Sequence, residues 1–145
     1  VSRELYFAKV EDNYFAKATI KGTETVDQVL AGSVRMQQPV HDVNTVRVVA
    51  SRSHMNDETR AFIGQLQAEN KEVAIVSKGS ALKFCLVAEG YADIYPRYAP
   101  TMEWDTAAAH AICNAVGIKV LSLETGKELV YNKENLLNPW FVCKY

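Results

Sequence analysis

Two apolar-rich runs open the chain, residues 3–9 and 14–20, carrying Tyr, Phe, Val, Ile and Thr and joined by the polar Glu11-Asp12-Asn13. That pattern predicts a strand hairpin. Residues 21–44 hold no sustained period and contain Gly22, Gly32 and Pro39, so they read as a long connection with one helical turn at 25–31. A β-branched run at 45–50 predicts a buried strand delivering Ser51-Arg52-Ser53-His54 at its C-terminal end. Asn56 or Asp57 then caps a helix whose Thr59, Phe62, Ile63 and Leu66 fall at i, i+3, i+4 and i+7.

A strand at 73–76 turns through Ser77-Lys78-Gly79-Ser80 into a helix over 81–89, stopped by Gly90. This helix is apolar nearly all round, with Lys83 its only polar residue before Glu89, which predicts burial in the middle of the domain. A strand follows at 92–95, then a helix over 105–116 with Ala108, Ala111, Ile112 and Ala115 as its inner face and Gly117 as its stop. Residues 120–123 and 128–131 predict a second hairpin around Thr125-Gly126-Lys127, and 140–145 a last strand. Strands alternating with helices through 45–123 predict an α/β layered domain, with a mixed sheet flanked by helices.

Composition narrows the setting. At 145 residues the chain is most simply one domain, and 48% hydrophobic with 23% charged residues is ordinary for a globular protein. Sixteen Lys and Arg against seventeen Asp and Glu give a net charge of −1, so no global basic field points to a nucleic acid polymer or a membrane. Any phosphate affinity is therefore local. Cys85, Cys113 and Cys143 are odd in number and widely spaced, and two lie in apolar helical runs, which suggests buried reduced thiols in a cytoplasmic protein. No apolar run reaches the roughly 18 residues that span a bilayer, and no secretory signal opens the chain. It begins with Val1, which fits a processed or truncated start.

Candidate chemistry gathers where strands meet helices. Gly79-Ser80 at a helix N-terminus exposes backbone N–H groups that favour an anion, and Lys83, one turn in, adds a full charge. Against this, Ser80 could simply be a cap and Lys83 a side chain reaching solvent. Asp105 in the first turn of its helix could be a capping carboxylate or a Mg²⁺ ligand, since hard cations prefer carboxylate oxygen. Arg97 at a strand end could sit in a surface salt bridge or grip a phosphate with its planar fork. His54 reads as an exposed loop residue, His110 as a helix-surface residue and Trp104 as a packing wedge. Neither histidine has a partner at metal-ligand spacing.

Together, Gly79-Ser80-Ala81-Leu82-Lys83-Phe84-Cys85-Leu86-Val87-Ala88-Glu89-Gly90, Tyr95-Pro96-Arg97, Trp104-Asp105-Thr106-Ala107-Ala108 and Leu137-Asn138-Pro139 resemble the C-terminal half of the inositol monophosphatase superfamily. The resemblance is to its 3′(2′),5′-bisphosphate nucleotidase branch, the CysQ type. It departs slightly at Ile118, where a small residue is expected after Gly117. The resemblance implies that Asp105 is a catalytic Mg²⁺ ligand. It implies that Ser51, His54, Gly79, Ser80, Lys83 and Arg97 bind a nucleotide bisphosphate, and that Li⁺ inhibits. Arg97 stands where the inositol-specific branch usually has an acid for sugar hydroxyls, which points to a nucleotide.

The Gly-Asp-x-x-Glu and Asp-Pro-x-Asp-Gly-Thr motifs of the family's N-terminal half do not occur in these residues. The resemblance therefore implies that residues 1–145 are the C-terminal domain, with that N-terminal half as its partner and the fragment alone inactive. A homodimer, and a setting in sulfur metabolism, are compatible with it. The implied reaction is hydrolysis of 3′-phosphoadenosine 5′-phosphate to AMP and phosphate. The alternatives are an inositol or sugar phosphate phosphatase of the same superfamily and a binding-only nucleotide domain.

Overall fold

The computed structural model describes residues 3–37, 39–40, 44–50, 55–69, 72–77, 79 and 81–145. The opening hairpin forms as expected, with β1 (Glu4–Lys9) antiparallel to β2 (Tyr14–Thr19). Its link is a single 3₁₀ turn closed by Asn13 in the left-handed region at φ 46°, which asparagine tolerates. The connection that follows is more ordered than its pattern suggested. Thr25 caps α1 (Val26–Ala31) in a capping box with Gln28, and β3 (Val34–Arg35) adds a third strand beside β2.

The second sheet holds β4 (Thr45–Val49), β5 (Glu72–Val76), β6 (Ile94–Arg97), β7 (Lys119–Ser122) and β8 (Phe141–Lys144), in the order β5-β4-β6-β8-β7. β5 and β6 run parallel to β4 on either side of it, and β8 is antiparallel to both β6 and β7. The sheet is mixed, as expected. α2 (Asp57–Ala68) connects β4 to β5, α3 (Leu82–Ala88) connects β5 to β6, and α4 (Glu103–Asn114) precedes β7.

Period-two alternation in β4 sorts the core into two layers. Val46 and Val48 meet Ile63 and Leu66 of α2 on one face, while Val49 joins Phe84, Val87, Tyr95, Ile112, Phe141 and others on the opposite face. α3 and α4 fill that opposite face, and the three-stranded sheet closes over them through Phe15. All three cysteines are free and buried.

Several elements differ from expectation. β6 runs on through Pro96 to Arg97 instead of stopping at Tyr95. Pairing with β4 is confined to Val48↔Ile94 among the described residues, so Pro96, which has no N–H to donate, falls where the two strands part. The stretch 128–131 forms no strand: it makes one bridge, Leu121↔Glu128, before Leu129 dives into the core. Helix α4 begins at Glu103, and its buried side is Thr106, Ala109, His110, Ile112 and Cys113, whereas Ala108 is exposed and Ala111 half-buried. The cause is position: α4 packs against α3, β1 and β7 together, so no single narrow stripe suffices.

Candidate functional site

The connections leaving β4 and returning to β6 run in opposite directions, with α2 on one face and α3 on the other. A crevice forms at the C-terminal ends of parallel strands where the winding reverses in this way. Here the parting of β4 and β6 beyond Ile94 widens it. Val49, Ala50, Asn56 and Thr59 line one side, Lys83 and Tyr95 to Ala99 the other, around a hollow of about 130 Å³. Asn56 fixes the first turn of α2 by accepting the Thr59 N–H at 3.1 Å, and its Nδ2 donates to Tyr98 O at 2.8 Å.

Alternation along β6 places Arg97 on the same face as Tyr95, the face covered by α3. Lys83, in the first turn of α3, lies with its Nζ 5.5 Å from the centre of the Tyr95 ring. Neither Lys83 nor Arg97 has a carboxylate partner among the described residues, and the buried Nε of Arg97 has no hydrogen-bond acceptor there. Burial, and then the charge of Arg97, push the Lys83 ammonium below the ordinary lysine range. Two cations held together without a counter-ion form a local anion site.

Both cations also line a larger cleft of about 470 Å³, shared with Thr101, Trp104 and Asp105. Asp105 sits three residues after Met102, the cap of α4, and its Oδ2 accepts the Met102 N–H at 2.8 Å. Both readings of Asp105 thus survive: it is a capping carboxylate, and it is exposed to the cleft with Oδ1 uncommitted among the described residues. For Mg²⁺, Asp105 offers one hard oxygen of the right kind. No cluster of three metal-ligating side chains exists among the described residues, and the neighbouring acid Glu103 is engaged by Lys133 and the Asn132 N–H. The residues fit one share of a metal site.

Ser51, His54 and Ser80 lie outside the described residues. Gly79 is exposed, and an added Cβ there would meet no atom within 4 Å. Helix α3 is capped by Ala81 in helical geometry without a side-chain bond, and seven residues give it only a small dipole. The charge at this end comes from Lys83. Trp104 is no packing wedge: it is 66% exposed at the mouth of the cleft. His110, expected on the helix surface, is 4% exposed, and its Nδ1 lies 2.9 Å from the Tyr131 hydroxyl. The Tyr131 ring, its centre 5.6 Å from that of the imidazole, covers that flank of α4. The pattern missed Tyr95, the ring beneath Lys83, because its apolar neighbours mark it as core.

Residues 6–140 match the sequence profile of the inositol monophosphatase family. The chain belongs to that family. It is 50% identical over 109 residues to the 3′(2′),5′-bisphosphate nucleotidase CysQ of Salmonella typhimurium, and 48% identical to that of Escherichia coli K12. Each match covers 74% of this chain and 42% of the relative, so the chain's match spans about two-fifths of the length of these nucleotidases. The crystal structure of CysQ from Bacteroides thetaiotaomicron superposes with a TM-score of 0.83 at 44% identity, over 99% of this chain and 54% of that one. Staphylococcus aureus inositol monophosphatase II shares the fold at a TM-score of 0.59 and 16% identity.

Proposed function

We propose that this chain is the C-terminal domain of a Mg²⁺-dependent phosphatase that hydrolyses 3′-phosphoadenosine 5′-phosphate to AMP and phosphate. The observation that carries the proposal is the uncompensated pair Lys83 and Arg97, facing the cleft that also holds Asp105. The nucleotidase names of relatives near 50% identity support the choice of substrate class. An acid at position 97 would suit sugar hydroxyls; a guanidinium suits a second phosphate.

In this reading Lys83 and Arg97 hold phosphate oxygens, and the tight β6–α3 packing fixes their spacing. Gly79 and Ser80 border the phosphate, while Ser51 and His54 meet the nucleoside. Asp105 is one ligand of the metal, and the remaining ligands come from the N-terminal half of the same enzyme. Bound Mg²⁺ would supply Lewis-acid stabilisation of the charge developing in phosphoryl transfer. The three buried thiols fit a reducing cytoplasm.

The test is a chimera in which this chain replaces the matched segment of Bacteroides thetaiotaomicron CysQ. Phosphate release from 3′-phosphoadenosine 5′-phosphate and from inositol 1-phosphate is compared with and without Mg²⁺. Mg²⁺-dependent preference for the nucleotide is expected. Preference for inositol 1-phosphate would leave Asp105 in its role and overturn the roles of Arg97 and Lys83.

A further inference from the structure

The first turn of α4 is held in place by a distant stretch, residues 130–138, to which the proposed chemistry gives no task. Asn138 is 5% exposed. Its Nδ2 donates toward Met102 O at 2.9 Å, Thr106 Oγ1 at 3.0 Å and Thr101 Oγ1 at 3.3 Å. Its backbone N–H donates to Thr101 O at 2.8 Å, and the Glu103 N–H donates to Leu136 O at 3.0 Å. Met102 and Leu137 form an antiparallel bridge between the two stretches.

Met102 is consequently gripped from both sides. Its N–H goes to Asp105 Oδ2, and its carbonyl takes the Asn138 amide together with the Asp105 N–H at 2.9 Å. A displacement of Met102 is therefore a displacement of the Asp105 carboxylate.

Thr106 donates its hydroxyl hydrogen to Glu103 O at 3.2 Å, so it accepts from Asn138 and from Tyr131 at 3.3 Å. The Tyr131 hydroxyl also lies 2.9 Å from His110 Nδ1. The Asn138 amide cannot be turned over, because Oδ1 would then oppose the carbonyl of Met102. Its Oδ1 is buried without a partner among the described residues, a cost that the donor contacts offset.

We infer that Asn138 is a positioning residue for the Asp105 carboxylate, acting through the peptide of Met102. The grip itself is independent of the function proposed above; its consequence for metal binding rests on that reading.

The experiment uses the same full-length chimera, as wild type, Asn138→Ala and Asn138→Asp. Amide exchange is followed by NMR, and Mg²⁺ affinity by calorimetry and by rate. Both variants should speed exchange of the Met102 amide about 10-fold relative to Val142 and Cys143 in β8, and weaken Mg²⁺ about 10-fold or more. KM for the nucleotide at saturating Mg²⁺ should move less than about 2-fold. Should one variant fail to fold, the other decides.

Uniform acceleration of Met102 and β8, or an unchanged Met102 amide, would reduce Asn138 to a packing role and overturn the inference. Unchanged Mg²⁺ affinity would overturn it as well. If the wild-type chimera releases no phosphate, the function reading fails, and the exchange ratio decides the role of Asn138 alone.

Discussion

Lys83 holds its charge against two opposing influences, burial and the neighbouring guanidinium of Arg97. A depressed ammonium sheds its proton before an ordinary lysine would, below the usual 10.5, and a bound phosphate dianion reverses that shift by favouring the charged form. In the chimera, KM for 3′-phosphoadenosine 5′-phosphate should therefore begin to rise on the alkaline side before the ordinary lysine range. Lys83→Arg should move that limb upward, because a guanidinium stays protonated. Lys83→Met removes one charged contact to phosphate, about 2 kcal/mol, and should lower kcat/KM roughly 30-fold. A pH–KM curve that Lys83→Arg leaves in place would assign the limb to another group. Arg97 differs in kind, since its planar fork and its buried Nε are what it brings to the anion.

The return from α3 to β6 is the element on which the site's spacing depends, and it turns at Gly90. That residue sits at φ +75°, and a Cβ there would come within 2.5 Å of the Pro39 Cβ. Its carbonyl also accepts Arg47 Nη1 at 2.6 Å, next to the fork of Arg47 on Asp93 that ties the start of β6 to β4. Gly90→Ala should cost about 2–3 kcal/mol, read as a fall in the urea midpoint at unchanged slope; a loss within about 0.5 kcal/mol would mean the turn relaxes freely. Gly90 was legible in the sequence because a glycine after an apolar helical run has a local cause. The strand–helix alternation, the Asn56 cap and the stop at Gly117 were legible for the same reason. The extension of β6 through Pro96, the bridge replacing a strand at 128–131 and the burial of His110 were not. Each is set by what packs against the element from farther along the chain: β8 holds Pro96 in the sheet, and Tyr131 closes over His110. The candidate site was legible in Lys83, Arg97 and Asp105 as residue types, but their meeting in one cleft depends on the reversal of winding at β4. The grip of Asn138 on Met102 left no local signal.

At the scale of the molecule, the three-stranded sheet, the α3–α4 layer and the five-stranded sheet close a core in which Cys85 is sealed. Burial pushes its thiol from 9.0 up to about 12. Between those values the unfolded chain releases the proton and the native chain keeps it, so stability present below pH 9 should decline as pH rises toward 12. Melting curves from pH 8 to 11 should show that fall, and Cys85→Ala should flatten it; an equal slope in both proteins would remove Cys85 as the cause. The same scaffold presents two cations and one carboxylate in a single cleft. Anion binding needs only the cations, whereas Mg²⁺-dependent turnover needs several ligands in one place, and Asp105 supplies one. The isolated 145-residue chain should therefore bind 3′-phosphoadenosine 5′-phosphate weakly, with or without Mg²⁺. That binding should weaken several-fold between about 0.05 and 0.5 M salt as screening shortens the reach of Lys83 and Arg97. The double variant Lys83→Met, Arg97→Gln should abolish it, as read by NMR titration, and none of these proteins should release phosphate above background. Robust Mg²⁺-dependent release by the pure chain would mean that it completes a metal site by itself, and Asp105 would then need partners drawn from these 145 residues.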